Sequence, residues 1–330
     1  MALIRKINSK AKAEINTGFG NNATDYGGRF ITKSGNANIE KKGIGFFEGI
    51  NWYHSMLALP VWKFILVILI FYILVNFLFG CLYYFIGVEH LAGVIMGSEL
   101  DKFGEAFFFS TQTFTTVGYG RISPTGFVTS ALAASEAFMG LLSFALATGL
   151  FYGRFSKPRA YLRFSYNALI APFKEGTALM IRVAPYKNTA LTEAEAKLTL
   201  GMLVEENGKM VNRFFSLDLE YEKANALTLN WTIVHPITES SPLYNFTESD
   251  FASQSGEIIV FLKAFDDMFS NTVVTRSSYS FKEIVVGAKF VPMYKRSADG
   301  NSTILELDKL NSFVPADISQ QMSAANTAQS

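Results

Sequence analysis

Apolar residues concentrate in two runs of this chain, 56 to 88 and 125 to 152. Within the first run, residues 61 to 80 carry a single charge, Lys63, near one end. About 20 helical residues cross the ~30 Å hydrocarbon core of a bilayer, so this run predicts an outer transmembrane helix. A buried helix of a soluble protein is the weaker alternative, because such helices rarely extend this far without a polar face.

The second run is rich in small residues, among them Ala133, Ala137 and Gly140. Small side chains let helices approach closely, so we expect this inner helix to pack against protein. Basic residues precede the first run and follow the second, whereas the charged residues of the segment 89 to 124 between them are mainly acidic. The positive-inside tendency therefore predicts cytoplasmic N- and C-termini.

From about residue 160 the pattern changes to short runs in which apolar and polar residues alternate, separated by Gly, Pro and Asn. Such runs are typical of half-buried strands in a β-sandwich. The candidate strands are 178–184, 197–204, 209–219, 227–234, 257–264 and 283–290. The ends of the chain, about 1–40 and 312–330, have no apolar period, and we expect them to be loosely ordered.

Composition removes several functional classes. Only 17% of the 330 residues are charged, and a net charge of +1 argues against binding of nucleic acid. Cys81 is the sole cysteine and the three histidines lie far apart, which argues against a disulfide framework and a metal centre. The β-rich part has no Gly-rich phosphate loop and no Ser-His-Asp pattern, so we expect neither an enzyme nor a cofactor.

Between the apolar runs, a short apolar segment at about 102–115 leads into Thr-Val-Gly-Tyr-Gly at 116–120. The short segment cannot span a bilayer as a helix. Non-helical backbone at membrane depth survives only where it is buried in protein or lines a watery cavity, so we predict a re-entrant loop.

The pentapeptide has the chemistry of a potassium filter. Gly118 and Gly120 reach left-handed backbone angles without a Cβ penalty, which lets successive carbonyls turn toward one axis and replace the hydration shell of K⁺. The hydroxyl of Thr116 adds a further ring, while Val117 and Tyr119 are expected to point backward and pack against the short helix. One chain supplies a quarter of each ring, so closure predicts a homotetramer.

Several further motifs lie in order along the chain: Arg-Phe-Ser-Lys-Pro-Arg-Ala at 154–160, Ser-Tyr-Asn-Ala at 165–168, Glu-Ser-Ser-Pro-Leu-Tyr at 239–244 and Arg-Ser-Ser-Tyr at 276–279. With the filter motif, they resemble the inward-rectifier potassium channels, most of all the prokaryotic members, over about residues 43–296. The resemblance implies a two-transmembrane-helix pore with a re-entrant pore helix, followed by a cytoplasmic immunoglobulin-like β-sandwich.

The resemblance also implies domain boundaries. They are an N-terminal cytoplasmic segment (1–42), a slide helix along the inner membrane surface (43–60), a pore domain (61–156), a sandwich (157–300) and a C-terminal tail (301–330). Within the pore domain, the outer helix is expected at about 61–88, the pore helix at about 102–115, the filter at 116–120 and the inner helix at about 124–155.

On the inner helix, Phe144 falls at the family's pore-facing rectification position, where strong rectifiers place a carboxylate. We therefore expect any block by intracellular Mg²⁺ or polyamines to be weak. Tyr152 falls at the bundle-crossing constriction, and Thr148 and Phe155 share its face, so these residues are the candidate cavity and gate. Packing of Tyr152 against lipid or another helix is the alternative.

Glu136 is the one carboxylate well inside a span, which makes it a functional candidate. It lies roughly 80° round the helix from Phe144 at about 3.6 residues per turn, so we expect it to face the pore helix and support the filter. A cation site is the alternative. Gln112, the second candidate for filter support, stands where many eukaryotic members have a Glu paired with an Arg, which leaves Arg121 without an obvious local partner.

Arg154, Lys157 and Arg159 follow the inner helix, and Trp52 lies in the slide segment. These four are candidates for binding anionic lipid headgroups, with ordinary membrane anchoring as the alternative.

Phe265 to Thr275 resembles the loop that narrows the family's cytoplasmic pore. Asp266 and Asp267 are expected to attract cations there, and Asp250 to line the wider vestibule, although acidic residues of this kind are usually solvated.

The leading interpretation is a channel that conducts K⁺ passively, gated at the inner-helix bundle and by the cytoplasmic domain, in a bacterial inner membrane. A membrane-anchored sensor or transporter subunit that uses the sandwich to bind a partner is the alternative.

Overall fold

The computed structural model describes residues 10–14, 29–43, 45, 51–206 and 209–318. They divide into two compact units. One contains the described residues from 42 to 157, and the other contains those before 42 together with those from 158 onward. Our expectations for 1–9, 15–28 and 319–330, and for positions 44 and 46–50 of the slide segment, concern residues outside the described part.

The first unit consists of four helices, α1 (Trp52–Ala58), α2 (Val61–Ile86), α3 (Glu99–Phe114) and α4 (Phe127–Phe155). Among the described residues, α2 and α4 are long and apolar enough to cross a membrane. Pro60 separates α1 from α2, and Gly87, with φ of 115°, ends α2. Two short strands, β1 (Leu91–Ala92) and β2 (Ser123–Pro124), pair antiparallel and hold together the segments that flank α3.

Helix α3 begins earlier than the residue 102 that the sequence suggested. Ser98 caps its first turn, because the Asp101 N–H donates to Ser98 Oγ and the Asp101 carboxylate accepts from the Ser98 N–H at 2.9 Å. Farther along, the ring of Phe109 meets that of Tyr83 edge-on at 5.0 Å. The capped start and the ring contact fix α3 against α2.

Helices α3 and α4 approach each other closely at Gly140. A Cβ placed there would lie 1.9 Å from the carbonyl oxygen of Phe114, the last residue of α3. The small residues of α4 thus permit a backbone contact at the end of α3. Residues 116–120 follow directly after this end of the helix.

The described part of the second unit is built from β-strands, one short α-helix and two 3₁₀ helices, Phe281–Glu283 and Leu307–Asn311. The strands are β3 (Leu162–Phe164), β4 (Ala168–Phe173), β5 (Gly176–Pro185), β6 (Leu191–Glu206), β7 (Lys209–Leu217), β8 (Lys223–Ala226), β9 (Trp231–Pro236), β10 (Gly256–Asp266), β11 (Asn271–Ser280), β12 (Ile284–Val286), β13 (Ala288–Phe290), β14 (Tyr294–Arg296), β15 (Thr303–Leu305) and β16 (Phe313–Pro315), and the helix is α5 (Glu248–Ser253).

Two five-stranded sheets dominate this unit. One has the order β11-β10-β6-β7 with β8 paired to β6, and the other has the order β12-β4-β5-β3 with β9 paired to β5. A single apolar cluster takes side chains from both sheets, such as Ile181 of β5 and Leu200 and Val260 of the facing sheet. The sheets therefore enclose one core, as a sandwich does.

Several strands differ from the pattern-based expectation. The segment 265–275, expected to be a loop, is mostly the hairpin of β10 and β11, with a turn at 267–270. The strand expected at 283–290 is broken at Gly287, whose φ of 72° separates β12 from β13. The strands of this unit that were not predicted are β3, β4, β8, β11, β14, β15 and β16.

Parts of the two chain ends that we expected to be loosely ordered are held by backbone hydrogen bonds. Strand β16 pairs with β13. The carboxylate of Glu257 accepts the N–H groups of Phe30 and Ile31 at 2.5 and 3.1 Å. For these stretches the expectation was wrong, because the partners lie far away in sequence and leave no local pattern.

The Gly140 contact predicts a specific sensitivity to volume. Gly140→Ala should lower the free energy of unfolding by about 1–3 kcal/mol, the usual cost of overpacking. Thermal unfolding of the purified protein in detergent measures this. Gly149→Ala, in the same helix but with no atom within 4 Å of the added Cβ, is the matched control and should not be destabilised. Equal melting temperatures for both variants would contradict the close contact.

Candidate functional site

The backbone of residues 116–120 alternates in handedness. The φ angles of Thr116, Gly118 and Gly120 are 59°, 52° and 81°, whereas Val117 and Tyr119 do not have positive φ angles. Left-handed angles at alternate residues are the conformation expected for carbonyls directed toward one axis. Sequence reasoning had foreseen the two glycines but not Thr116, which adopts an angle rare for a β-branched residue.

The last turn of α3 holds this segment through its main chain. The carbonyl of Gln112 accepts the N–H groups of Val117 and Gly118 at 3.0 and 3.3 Å, and the carbonyl of Thr113 accepts that of Thr116 at 3.0 Å. Gln112 therefore contacts residues 117 and 118 with its backbone oxygen. These bonds satisfy carbonyls that a helix end would otherwise leave unpaired.

Two side chains of the segment differ from the expectation. Val117 and Tyr119 were expected to pack against the short helix, but they are 54% and 80% exposed in the single chain. Their own α3 therefore does not cover them, and the surface that would hold the width of the segment has to come from elsewhere.

Glu136 faces the pore helix and is fully buried. Its carboxylate accepts the hydroxyl of Tyr83 at 2.7 Å and is also bonded to the hydroxyl of Ser110. Ser110 Oγ lies 3.1 Å from Asn76 Oδ1. The Glu136 side chain of α4 thus forms hydrogen bonds to both α2 and α3.

The partners of Glu136 were not among the predicted site residues. Asn76 had a usable signal, because it is the only amide in the otherwise apolar α2 and polar side chains inside a span are functional candidates. Ser110 and Tyr83 had none, since serines and tyrosines are common in membrane helices and only the fold brings these two together.

Arg121 does have a partner. Its guanidinium bonds the carboxylate of Glu105 at 2.6 Å and reaches the Gly93 carbonyl at 3.4 Å. The two charged residues are 16 positions apart, which is why no local pattern revealed the pair. The chain returns beside α3 after residue 120 and brings them together.

The candidate cavity and gate residues lie along α4 and are uncovered in the single chain. Phe144, Tyr152 and Phe155 are 73%, 74% and 63% exposed. The exposed Thr148 donates its hydroxyl to the Phe144 carbonyl at 2.9 Å, within the helix. The four residues therefore form an exposed, largely aromatic face.

The four lipid candidates have different surroundings. Arg154 donates to the carbonyls of Met56, Leu57 and Leu59, at the C-terminal end of α1, and its guanidinium lies 5.1 Å from the Phe64 ring. A cation at this end of a helix is favoured by the unpaired carbonyls and the helix dipole. The side chains of Trp52, Lys157 and Arg159 are exposed.

The acidic candidates in the second unit also separate. Asp266 is 1% exposed, and its Oδ1 accepts the N–H groups of Met268 and Phe269 in the hairpin turn, so it cannot line a water-filled passage as expected. Asp267 is exposed and accepts the Thr192 hydroxyl at 3.0 Å. The half-buried Asp250 accepts the N–H and hydroxyl of Thr247 at the start of α5.

Comparison with known proteins agrees with this geometry. Residues 67–157 match the family described as "Ion channel", and residues 162–330 match the family described as "Inward rectifier potassium channel C-terminal domain". The chain is 32% identical over 288 residues to the inward rectifier potassium channel Kirbac3.1 of Paramagnetospirillum magnetotacticum, covering 86% of this chain and 95% of that protein. It is 27% identical over 289 residues to the ATP-sensitive inward rectifier potassium channel 12 of Mus musculus and of Bos taurus, covering 80% of this chain and 67% of each.

The chain combines two membrane-length helices, a short helix between them and a β-rich C-terminal unit. With the match of residues 67–157, this arrangement defines a membrane protein of the two-helix ion-channel class. Within that class, the chain belongs to the inward rectifier potassium channel family. The predicted family and fold class are confirmed, and the relatives are channels, not enzymes.

The contact of Arg154 with α1 predicts a local effect of its removal. Arg154→Gln should leave the α1 carbonyls without a charged donor, a loss of about 1.5 kcal/mol or more. Because 1.4 kcal/mol corresponds to a factor of ten, the amides of 55–59 should exchange with deuterium roughly tenfold faster. Arg159→Gln, which removes an exposed cation five residues later in the chain, is the control. Unchanged exchange in Arg154→Gln would show that α1 does not depend on this contact.

Proposed function

We propose that this protein is a potassium-selective channel that conducts K⁺ passively, without a cofactor, through a homotetrameric pore. The observation that carries the proposal is the left-handed backbone at Thr116, Gly118 and Gly120, fixed by carbonyls of α3. Four such segments around one axis would form rings of oxygen atoms that replace the hydration shell of K⁺. The potassium ions would bind at the carbonyls of residues 116 to 119.

The exposed apolar surface of the helical unit supports assembly with further copies of the chain. Val117 and Tyr119 are uncovered. A mainly apolar cavity of about 700 Å³ is lined by residues that include Phe114, Thr116 and Phe144. A neighbouring copy would bury these side chains and hold the width of the filter. A cyclic arrangement is the common way in which identical chains close a ring.

We further propose that the aromatic face of α4 is the gate. Four Tyr152 side chains at a narrow axis would exclude water and so block ions, with Phe155 below and Thr148 above. Arg154, bonded to the end of α1, would couple the slide helix to this gate and pass on motion of the cytoplasmic domain. Phe144 brings no carboxylate to the cavity, so block by Mg²⁺ or polyamines would be weak.

The surroundings of the charged residues refine the remaining assignments. Lys157 and Arg159, with Trp52, are exposed and suit contact with anionic lipid headgroups, whereas Arg154 serves α1. Of the acidic residues, Asp267 and Asp250 remain candidates for the cytoplasmic pore and Asp266 does not. Charge asymmetry about the two spans supports cytoplasmic termini, and the bacterial relative supports a bacterial inner membrane.

A membrane-anchored sensor or transporter subunit remains the second candidate for the cytoplasmic unit. It would not need the alternating backbone of residues 116–120, and it would show no potassium-dependent flux.

Rubidium uptake into proteoliposomes tests conduction. The protein should take up Rb⁺, barium should block the uptake, and Na⁺ should compete poorly. Gly118→Ala should reduce uptake at least tenfold, because a Cβ at a left-handed residue costs about 1–2 kcal/mol and displaces the carbonyls. Gly104→Ala, in α3 with open space for the new Cβ, is the control and should conduct. Uptake that is equal for Na⁺ and Rb⁺, or that survives Gly118→Ala unchanged, would refute the proposed filter.

Removal of the aromatic gate should increase flux. Tyr152→Ala would widen the pore at the proposed gate. A barrier to ion passage that is lower by about 1.4 kcal/mol corresponds to roughly tenfold faster Rb⁺ uptake. Phe127→Ala, which removes an exposed ring at the other end of α4, is the matched control. If both variants take up Rb⁺ at the rate of the unmodified protein, Tyr152 is not the constriction.

A further inference from the structure

Four fully buried side chains meet behind the filter helix: Glu136 of α4, Ser110 of α3, and Asn76 and Tyr83 of α2. Their polar atoms form one connected set. Tyr83 bonds one carboxylate oxygen of Glu136, Ser110 bonds the other, and Ser110 also contacts Asn76 Oδ1 at 3.1 Å. No ion pair to Glu136 occurs among the described residues.

The orientation of Asn76 follows from its other contact. Its Nδ2 lies 2.7 Å from the backbone carbonyl of Tyr72, which can only accept a hydrogen bond. The amide nitrogen must therefore face Tyr72, and the amide oxygen must face Ser110. Asn76 Oδ1 and both oxygens of Glu136 are then three buried acceptor atoms.

The hydroxyl groups supply only two protons for these three acceptors. Tyr83 donates its proton to Glu136, because it has no other acceptor among its hydrogen bonds. Ser110 has one proton and two acceptors within reach, so with an ionised Glu136 either Asn76 Oδ1 or a carboxylate oxygen would have no donor. Buried polar atoms without partners are rare because they are costly.

We propose that Glu136 is held as a neutral carboxylic acid and that its proton completes this network. Tyr83 donates to Glu136, Glu136 donates to Ser110, Ser110 donates to Asn76, and Asn76 donates to the Tyr72 carbonyl. In this sequence each hydroxyl and the acid group donates once. Asn76 Oδ1 and one carboxyl oxygen of Glu136 each receive a hydrogen bond, and the other carboxyl oxygen carries the acid proton and needs no donor. The four residues are positioning residues, since Ser110 lies on the helix whose last turn holds the filter.

The surroundings of Glu136 agree with a neutral acid. From α2 it meets the titratable but neutral Tyr83, from α3 the neutral Ser110, and α4 itself supplies no cation to it. Glu105 and Arg121, the charged residues close to the filter in sequence, form an ion pair with each other. The inference deepens the proposed function. Its relevance to ion selectivity rests on that function.

A neutral buried acid has a defined effect of pH on stability. The folded protein keeps the proton, while the unfolded chain releases it once the pH exceeds the ordinary range of a glutamic acid. Raising the pH therefore favours the unfolded state, and the stability that Glu136 contributes decreases as the solution becomes alkaline. Glu136→Gln should remove this dependence, because its amide donates to Ser110 and its carbonyl accepts from Tyr83 at every pH.

Two measurements on the full-length protein in detergent test the proposal without reference to conduction. In infrared spectra at pH 7, the unmodified protein should show the carbonyl stretch of a protonated acid that Glu136→Gln lacks. In thermal unfolding from pH 6 to 9, Glu136→Gln should match the unmodified protein at pH 6 and lose less stability by pH 9. Ser135→Ala, which removes the exposed neighbouring hydroxyl in α4, is the control and should behave like the unmodified protein.

The contrary result is equally defined. An ionised Glu136 would give no protonated-acid band, and Glu136→Gln would be less stable than Ser135→Ala at every pH with an unaltered pH profile. Ser110→Ala interrupts the sequence of donors at its centre and should lower the thermal stability of the protein at every pH if the network exists. Unchanged stability of this variant would also overturn the proposal. Failure of Rb⁺ uptake alone would refute the conduction proposal and leave this one standing.

Discussion

The structure depends on one constraint: backbone polar groups at membrane depth must find partners within the protein. Residues 116–120 are not helical, so their N–H groups cannot pair within a helix of their own. The free carbonyls at the end of α3 accept several of them. The position of α3, its close packing at Gly140 and the ring contact of Phe109 all serve to hold that helix end in place.

Polar and apolar contacts divide this task. Apolar packing brings α2, α3 and α4 together but has little directionality, whereas the buried hydrogen bonds of Glu136, Ser110 and Asn76 fix their register. A single buried polar network is costly when incomplete and specific when complete. This network is the environment of the one carboxylate in an otherwise uncharged part of α4.

Much of this architecture was predictable from the sequence because it rests on local signals. Hydropathy indicated α2 and α4, and Gly118 and Gly120 indicated the left-handed backbone of residues 116–120. Long-range pairs carried no such signal: the Arg121–Glu105 ion pair, the Asn76–Ser110 contact and strand β16 depend on residues that only the fold brings together. Asp266 was misjudged for a related reason, since an acidic residue in a turn can point inward to cap backbone N–H groups.

The bond between Arg154 and the end of α1 has a mechanical consequence. Helix α1 is joined to α2 through Pro60 and to α4 through this guanidinium, so α1 links α2 and α4 through one covalent and one non-covalent connection. Under the proposed function, a sideways displacement of α1 would act through Arg154, which lies two residues from Tyr152. A small force on α1 would thereby act as a torque on the C-terminal end of α4.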